Sequence, residues 1–149
     1  MDNSLNERFS VIGDVEVTVT DADGLIKDHR EIKNLVVAAG KSWIASRMVN
    51  AADAVMSHMA IGTGTVTPNT SNTALGAQVA RVALTSTSRT NNQVTYSASF
   101  PAGTGTGSIT EAGIFNASSL GTMLCRTVFS EVNKDILDTL TINWTVTIL

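Results

Sequence analysis

One cysteine, Cys125, stands in 149 residues. No intrachain disulfide can form, and no cluster of thiolates can hold a metal within one subunit. Charge is scarce too. Asp, Glu, Lys and Arg make up 15% of the chain, against about 25% in an average soluble domain. The net charge of −3 argues against a general nucleic-acid binder, which would show a basic face. Aromatic residues are 5%, too few for a surface built on stacking. The two histidines, His29 and His58, have no second histidine at metal-ligand spacing. No G-x-S-x-G nucleophile elbow occurs. No apolar stretch approaches the roughly 18 residues of a membrane span. The opening MDNSLNERFS lacks the basic start and apolar run of a signal peptide. Neither a membrane nor a targeting step is therefore expected.

Threonine, serine, asparagine and alanine replace the missing charge. Stripping water from a hydroxyl costs far less than stripping it from an ion. Such a surface suits a subunit buried among neighbours, and equally a low-charge secreted or viral β-protein. A chain of this length forms one domain and buries about 68–70% of its unfolded surface, so it folds without a staple.

Alternation dominates the pattern. Val15, Val17 and Val19 alternate with Glu16 and Thr18, followed by Asp23-Gly24 and a second extended run over 25–37; this predicts a β-hairpin. A helix is expected over 41–49, with Trp43, Ile44, Arg47 and Met48 on one face. Residues 50–57 read as a small-residue connection, and 59–65 as a short strand entering a turn. A weak helix or turn is expected over 73–81, with Leu75 and Val79 inward, because Gly76 lowers helix propensity. Residues 81–85 look extended and 86–92 polar and turn-rich.

The stretch 93–129 holds three strands. Val94, Tyr96, Ala98 and Phe100 alternate with hydroxyl residues, residues 101–107 break the run, and 109–115 and 122–129 resume it. The Gly-Thr run at 103–107 reads as a hairpin connection. Glu131, Lys134, Asp135 and Asp138 form a polar link. The last strand places Ile142, Trp144, Val146 and Ile148 on one face. About seven strands and one helix imply a mainly β fold: an antiparallel β-sandwich or partly open barrel with one short helix packed at one end.

Three motifs suggest chemistry and stop short of it. Asp21-x-Asp23-Gly24 opens like a calcium loop, but its twelfth position is Ile32 and not glutamate. Gly40-Lys41-Ser42 ends like a phosphate-binding loop, but the required earlier glycine is Leu35. Glu111 is the one carboxylate in the apolar stretch 93–129. As a general base it lacks a second catalytic group. As a structural carboxylate it needs only turn N–H groups, or a pairing with Arg81 or Arg126, and would anchor the turn at 103–107. No catalytic, cofactor-binding or metal residue is expected.

The order of motifs resembles a known family. AAGKSWIASRMV precedes MSHMAIGTGTVTPNTSNTALGAQVAR, and VTYSASFPAGTGTGSITEAGIFNASSLGTMLCRTVF follows. Together these resemble the N-terminal domain of phage tail-collar fibre proteins. The matching positions are Gly40, Ile61-Gly62-x-Gly64, Pro68, Leu75, Arg81, Pro101, Glu111-x-Gly113-Ile114-Phe115 and Gly121, spread over about residues 38–130. Thr63 stands where the family often has aspartate, and the family's long fibre shaft does not follow.

The resemblance implies a single virion structural domain over 1–149, with an N-terminal hairpin (11–37) and a tail-collar-fibre-like core (38–149). It implies a non-enzymatic subunit of a tailed phage, made in the host cytoplasm. That subunit attaches or forms a tail, collar or baseplate fibre part through contacts with other virion proteins, as a homo-oligomer without cofactor or small-molecule substrate. A capsid decoration protein on the phage head is the alternative. A small carbohydrate-binding module using Trp43, Tyr96 or Trp144 is a lesser one. The expected interface is the pair of Gly-Thr turns, 62–72 and 103–108, where backbone can approach backbone closely.

Overall fold

The computed structural model describes residues 7–49 and 53–149. In chain order the elements are β1 (Val11–Thr20), β2 (Ile26–Lys33), β3 (Leu35–Val36), α1 (Ala38–Met48), β4 (His58–Gly62), β5 (Gln78–Ala83), β6 (Ser86–Thr90), β7 (Gln93–Phe100), β8 (Gly107–Phe115), β9 (Met123–Lys134) and β10 (Thr139–Ile148). They make two five-stranded antiparallel sheets, β2-β1-β10-β7-β6 and β3-β9-β8-β4-β5. The sheets pack as a sandwich and neither closes into a barrel, which decides between the two architectures expected.

Strict alternation builds the first sheet. Val15, Val17 and Val19 of β1 point inward beside Leu140, Ile142, Trp144 and Val146 of β10, while Glu16 and Thr18 face solvent. Trp144 is fully buried, and its indole N–H donates to Asn34 Oδ1 at 3.2 Å. From the second sheet, Met59, Ile61, Ile109, Ala112, Ile114, Leu124 and Cys125 complete the core.

β8 breaks the one-face rule. Every residue from Ile109 to Phe115 is buried. A bulge against β9 between Ile109 and Glu111 shifts the parity. Ile109, Ala112 and Ile114 enter the main core, and Glu111, Gly113 and Phe115 face outward. Their outer face is covered by the segment 63–77 and the start of α1, through a second small cluster of Val37, Ala60, Phe115 and Met123 with Ala39 and Leu75 packed on it.

Several expectations are corrected. The run over 25–37 is two strands, because the chain changes sheets between Lys33 and Leu35. The segment 101–106 is not a hairpin connection: β7 lies in the first sheet and β8 in the second, so it carries the chain across the sandwich. Residues 73–81 form no helix. A turn leads into β5, where Val79 is exposed and Leu75 half-buried, since pairing with β4 outweighs the weak helical pattern. The polar run 86–92 contains β6, an all-exposed edge strand carried by β7. The expected link after Phe129 is a continuation of β9 to Lys134. The helix starts three residues earlier than expected, and of its proposed face Arg47 and Met48 are exposed while Trp43 and Ile44 are half-buried. Residues 50–52 of the small-residue connection, and 1–6 of the opening segment, lie outside the described residues.

Candidate assembly surface

One end of the sandwich gathers four connections: 21–25, 63–77, 101–106 and 135–138. Strand directions require it, because β1, β4, β7 and β9 end there and β2, β5, β8 and β10 begin there. A buried ion pair holds the longest of these connections in place. Glu111 and Arg126, both essentially without solvent exposure, meet at 2.9 Å between Oε2 and Nη2. Arg126 Nε donates to the same oxygen at 3.1 Å, and Gly76 N–H adds a third bond at 2.9 Å. Oε1 accepts from Gly64 N–H at 2.9 Å and Ala77 N–H at 2.7 Å. Arg126 Nη1 donates onward to Asn72 Oδ1 at 3.1 Å. Both ends and the middle of segment 63–77 are thus tied to one side-chain pair on the sheet.

Burial pushes the Glu111 pKa up, but the Ala77 and Gly76 N–H groups, the Arg126 guanidinium and the Gly64 N–H outweigh it and hold the carboxyl below its ordinary value. The group is an anion at neutral pH, with every bond directed at its charged form. It is a structural anchor, and of the two arginines open to it in the sequence, Arg126 is the partner. What it anchors differs from expectation: segment 63–77 and not the turn at 103–107.

The register explains the choice of arginine. Arg81, Ala60, Gly113 and Arg126 form one row across β5, β4, β8 and β9. The two small residues in the middle leave room for the arginines to lean opposite ways. Arg126 leans to Glu111. Arg81 stacks over the Phe115 ring, 3.7 Å from its centroid, and donates to the carbonyls of Ala117 and Leu120. A Cβ on Gly113 would meet Leu75 Cδ2 at 3.0 Å, and one on Gly64 would meet Glu111 Oε1 at 2.5 Å. The pattern Glu111-x-Gly113-Ile114-Phe115 therefore has a physical content. Its first member holds the segment, its second makes room for Leu75, and its last two fill the two cores.

A second charged group closes the same end. Lys27 Nζ bonds Asp138 at 2.6 Å and Asp135 at 3.0 Å. The Lys27 ammonium and the Asp135 N–H hold the Asp138 carboxyl below its usual range. Lys134, buried, donates to the Pro101 carbonyl at 3.0 Å. Beside these charges stand exposed apolar side chains. Leu25, Ile26, Val66, Ile136 and Leu137 are each 65–75% exposed.

The other residues singled out in the sequence are dispersed. Asp21 Oδ1 accepts N–H bonds from Asp23 and Leu25, which is the work of a turn. Gly40-Lys41-Ser42 lies inside α1, with Gly40 against the Leu124 carbonyl. Tyr96 is buried, Trp43 half-buried with its indole N–H on the Ala54 carbonyl, and Cys125 is a buried thiol whose pKa burial raises. His58 bonds Ser57. His29 bonds Thr18 and stands with Glu16 and Glu31, their ligand atoms within 4.8 Å of one another. That grouping is exposed, and exposed carboxylates commonly stand so without an ion. Cross-strand pairing made it, which spacing along the chain does not show.

No curated protein and no solved structure matches the chain. A family model does: phage tail-collar fibre protein, N-terminal, over residues 29–147. The match spans the helix, the clamped segment and all strands from β3 to β9, together with most of β10. The chain belongs to the family of phage tail-collar fibre protein N-terminal domains.

Proposed function

We propose that this domain attaches a fibre to the phage tail or baseplate through protein–protein contacts at the four-connection end, without catalysis, as part of a homo-oligomer. The family carries the coarser part: a structural role in the phage tail fibre, within the virion and in contact with other virion proteins. One observation favours this end as the contact surface. Four large apolar side chains, Leu25, Ile26, Ile136 and Leu137, are exposed there on two connections that Lys27 ties together through Asp135 and Asp138. Apolar side chains on a well-fixed base lose little entropy on docking, and Lys27, Asp135 and Asp138 beside them are paired with one another. The Gly-Thr turns at 62–72 and 103–108 flank them.

The test is location and dependence. Gold-labelled protein on intact particles is expected on the tail; signal on the head at many copies would favour the decoration role instead. Ile136→Asp with Leu137→Asp should leave melting unchanged and abolish incorporation. Undiminished incorporation would remove this end from the interface.

A further inference from the structure

The sandwich has a second feature that the four-connection end does not use. β6 forms one border of the first sheet, and no strand pairs with its far side among the described residues. All five of its residues are exposed, with one charge, no proline and no bulge against β7. Arg89 and the shortness of the strand are its only protection; no proline, bulge or covering element among the described residues blunts the edge.

The register says which backbone groups are free. Thr90 and Gln93 flank a two-residue turn and so exchange hydrogen bonds. Alternation along an antiparallel ladder then leaves Thr87 and Arg89 in the non-bonded positions toward β7, with N–H and C=O directed outward. These two residues also line a cleft of about 530 Å³, whose walls include Trp43, Ile44, Val94, Tyr96, Val146 and Ile148. An added strand that bonds to Thr87 and Arg89 would aim alternate side chains at this apolar space. Arg47 and Arg89 stand on the cleft, donating to the carbonyls of Asp53 and Asn91. Neither has a carboxylate partner among the described residues.

We propose that β6 receives an extended segment of another virion protein as a sixth strand. Alternate apolar side chains enter the cleft, and a flanking carboxylate meets Arg47 and Arg89. This rests on the reading of the domain as a part that works by contacts within the virion, and adds a partner segment at a different place from the apolar tips.

The test uses the purified domain and overlapping 12-residue synthetic peptides covering the other structural proteins of the parent phage, read by fluorescence polarisation. Peptides with alternating apolar residues and an Asp or Glu near one end are expected to bind. Thr87→Pro removes an N–H the fold does not use, and Arg89→Glu reverses the charge. Each should weaken binding at least tenfold with melting unchanged, while Ile136→Asp should not affect it. Should the proline variant unfold, Arg89→Glu decides alone. Binding indifferent to both substitutions would overturn the proposal. So would a self-associated domain that Thr87→Pro dissociates, since a second copy would then fill the edge. If no peptide binds yet the domain still incorporates into tails, the strand-addition proposal fails and the attachment role stands. If incorporation also fails, the attachment role falls with it.

Discussion

Replacing Glu111 by glutamine changes one oxygen for an NH₂ and nearly nothing in volume, so it isolates the charge and its bonding. The carboxylate receives five donated bonds, two on Oε1 from Gly64 and Ala77 and three on Oε2 from Gly76 and Arg126. A glutamine has one acceptor oxygen. Whichever way its amide turns, the NH₂ faces either two backbone N–H groups or Gly76 N–H with the guanidinium. Donors then oppose donors, and Arg126 becomes a buried cation without its anion. Breaking one partner of a buried pair costs about 3–5 kcal/mol. At about 2–4 °C per kcal/mol for a chain near 150 residues, melting should fall by roughly 6–20 °C. Circular dichroism melts measure the total. Hydrogen exchange locates it: the Gly64, Gly76 and Ala77 amides should be protected in the wild type and exchange freely in Glu111→Gln. A melting point within about 2 °C of wild type, or unchanged exchange at those amides, would refute the clamp.

The same pair sets an acid dependence. The folded Glu111 pKa is depressed below an unfolded value of about 4.3, so the unfolded state binds more protons in that range and stability rises with pH there. Stability should be full above about pH 4.3 and fall as pH drops toward the folded value, more steeply in wild type than in Glu111→Gln. Gly64→Ala puts a methyl group 2.5 Å from Glu111 Oε1; it should cost about 1–3 kcal/mol as an overpacked site and free the same three amides to exchange. Trp144→Ala empties a fully buried position and should cost about 3–5 kcal/mol in urea unfolding. Cys125, buried with a raised pKa, should resist maleimide in the native protein and react only in denaturant.

Period-2 alternation made β1, β7 and β10 legible, because each presents one face to a single core. β8 was legible as a strand but not as doubly buried, since its outer cover, segment 63–77, comes from 30–50 positions earlier in the chain. β5 was read as extended only over its second half, from residue 81, and β6 was missed, for opposite reasons. Gln78–Ala83 carries a helix-compatible spacing that β4 overrides, and Ser86–Thr90 has no apolar face at all, being held only by main-chain bonds to β7. Glu111 stood out because a lone carboxylate in an apolar stretch demands partners. Its three backbone donors carried no signal, since any residue supplies an N–H. The glycines at 64 and 76 were the only hint, as places where backbone could come close.

The placement of β10 has a consequence for the order of folding. This strand, latest along the chain, lies between β1 and β7 in the middle of the first sheet. The β1–β2 hairpin can form as soon as it is made, yet its inner valines have no neighbour strand on the other side until Thr139–Ile148 arrives. On the ribosome the early hairpin and the β6–β7 hairpin must both wait with open edges. Pairing partners so far apart in sequence slow a fold into the millisecond-to-second range. The strand order therefore predicts that Thr139–Ile148 joins the two hairpins only after both have been made.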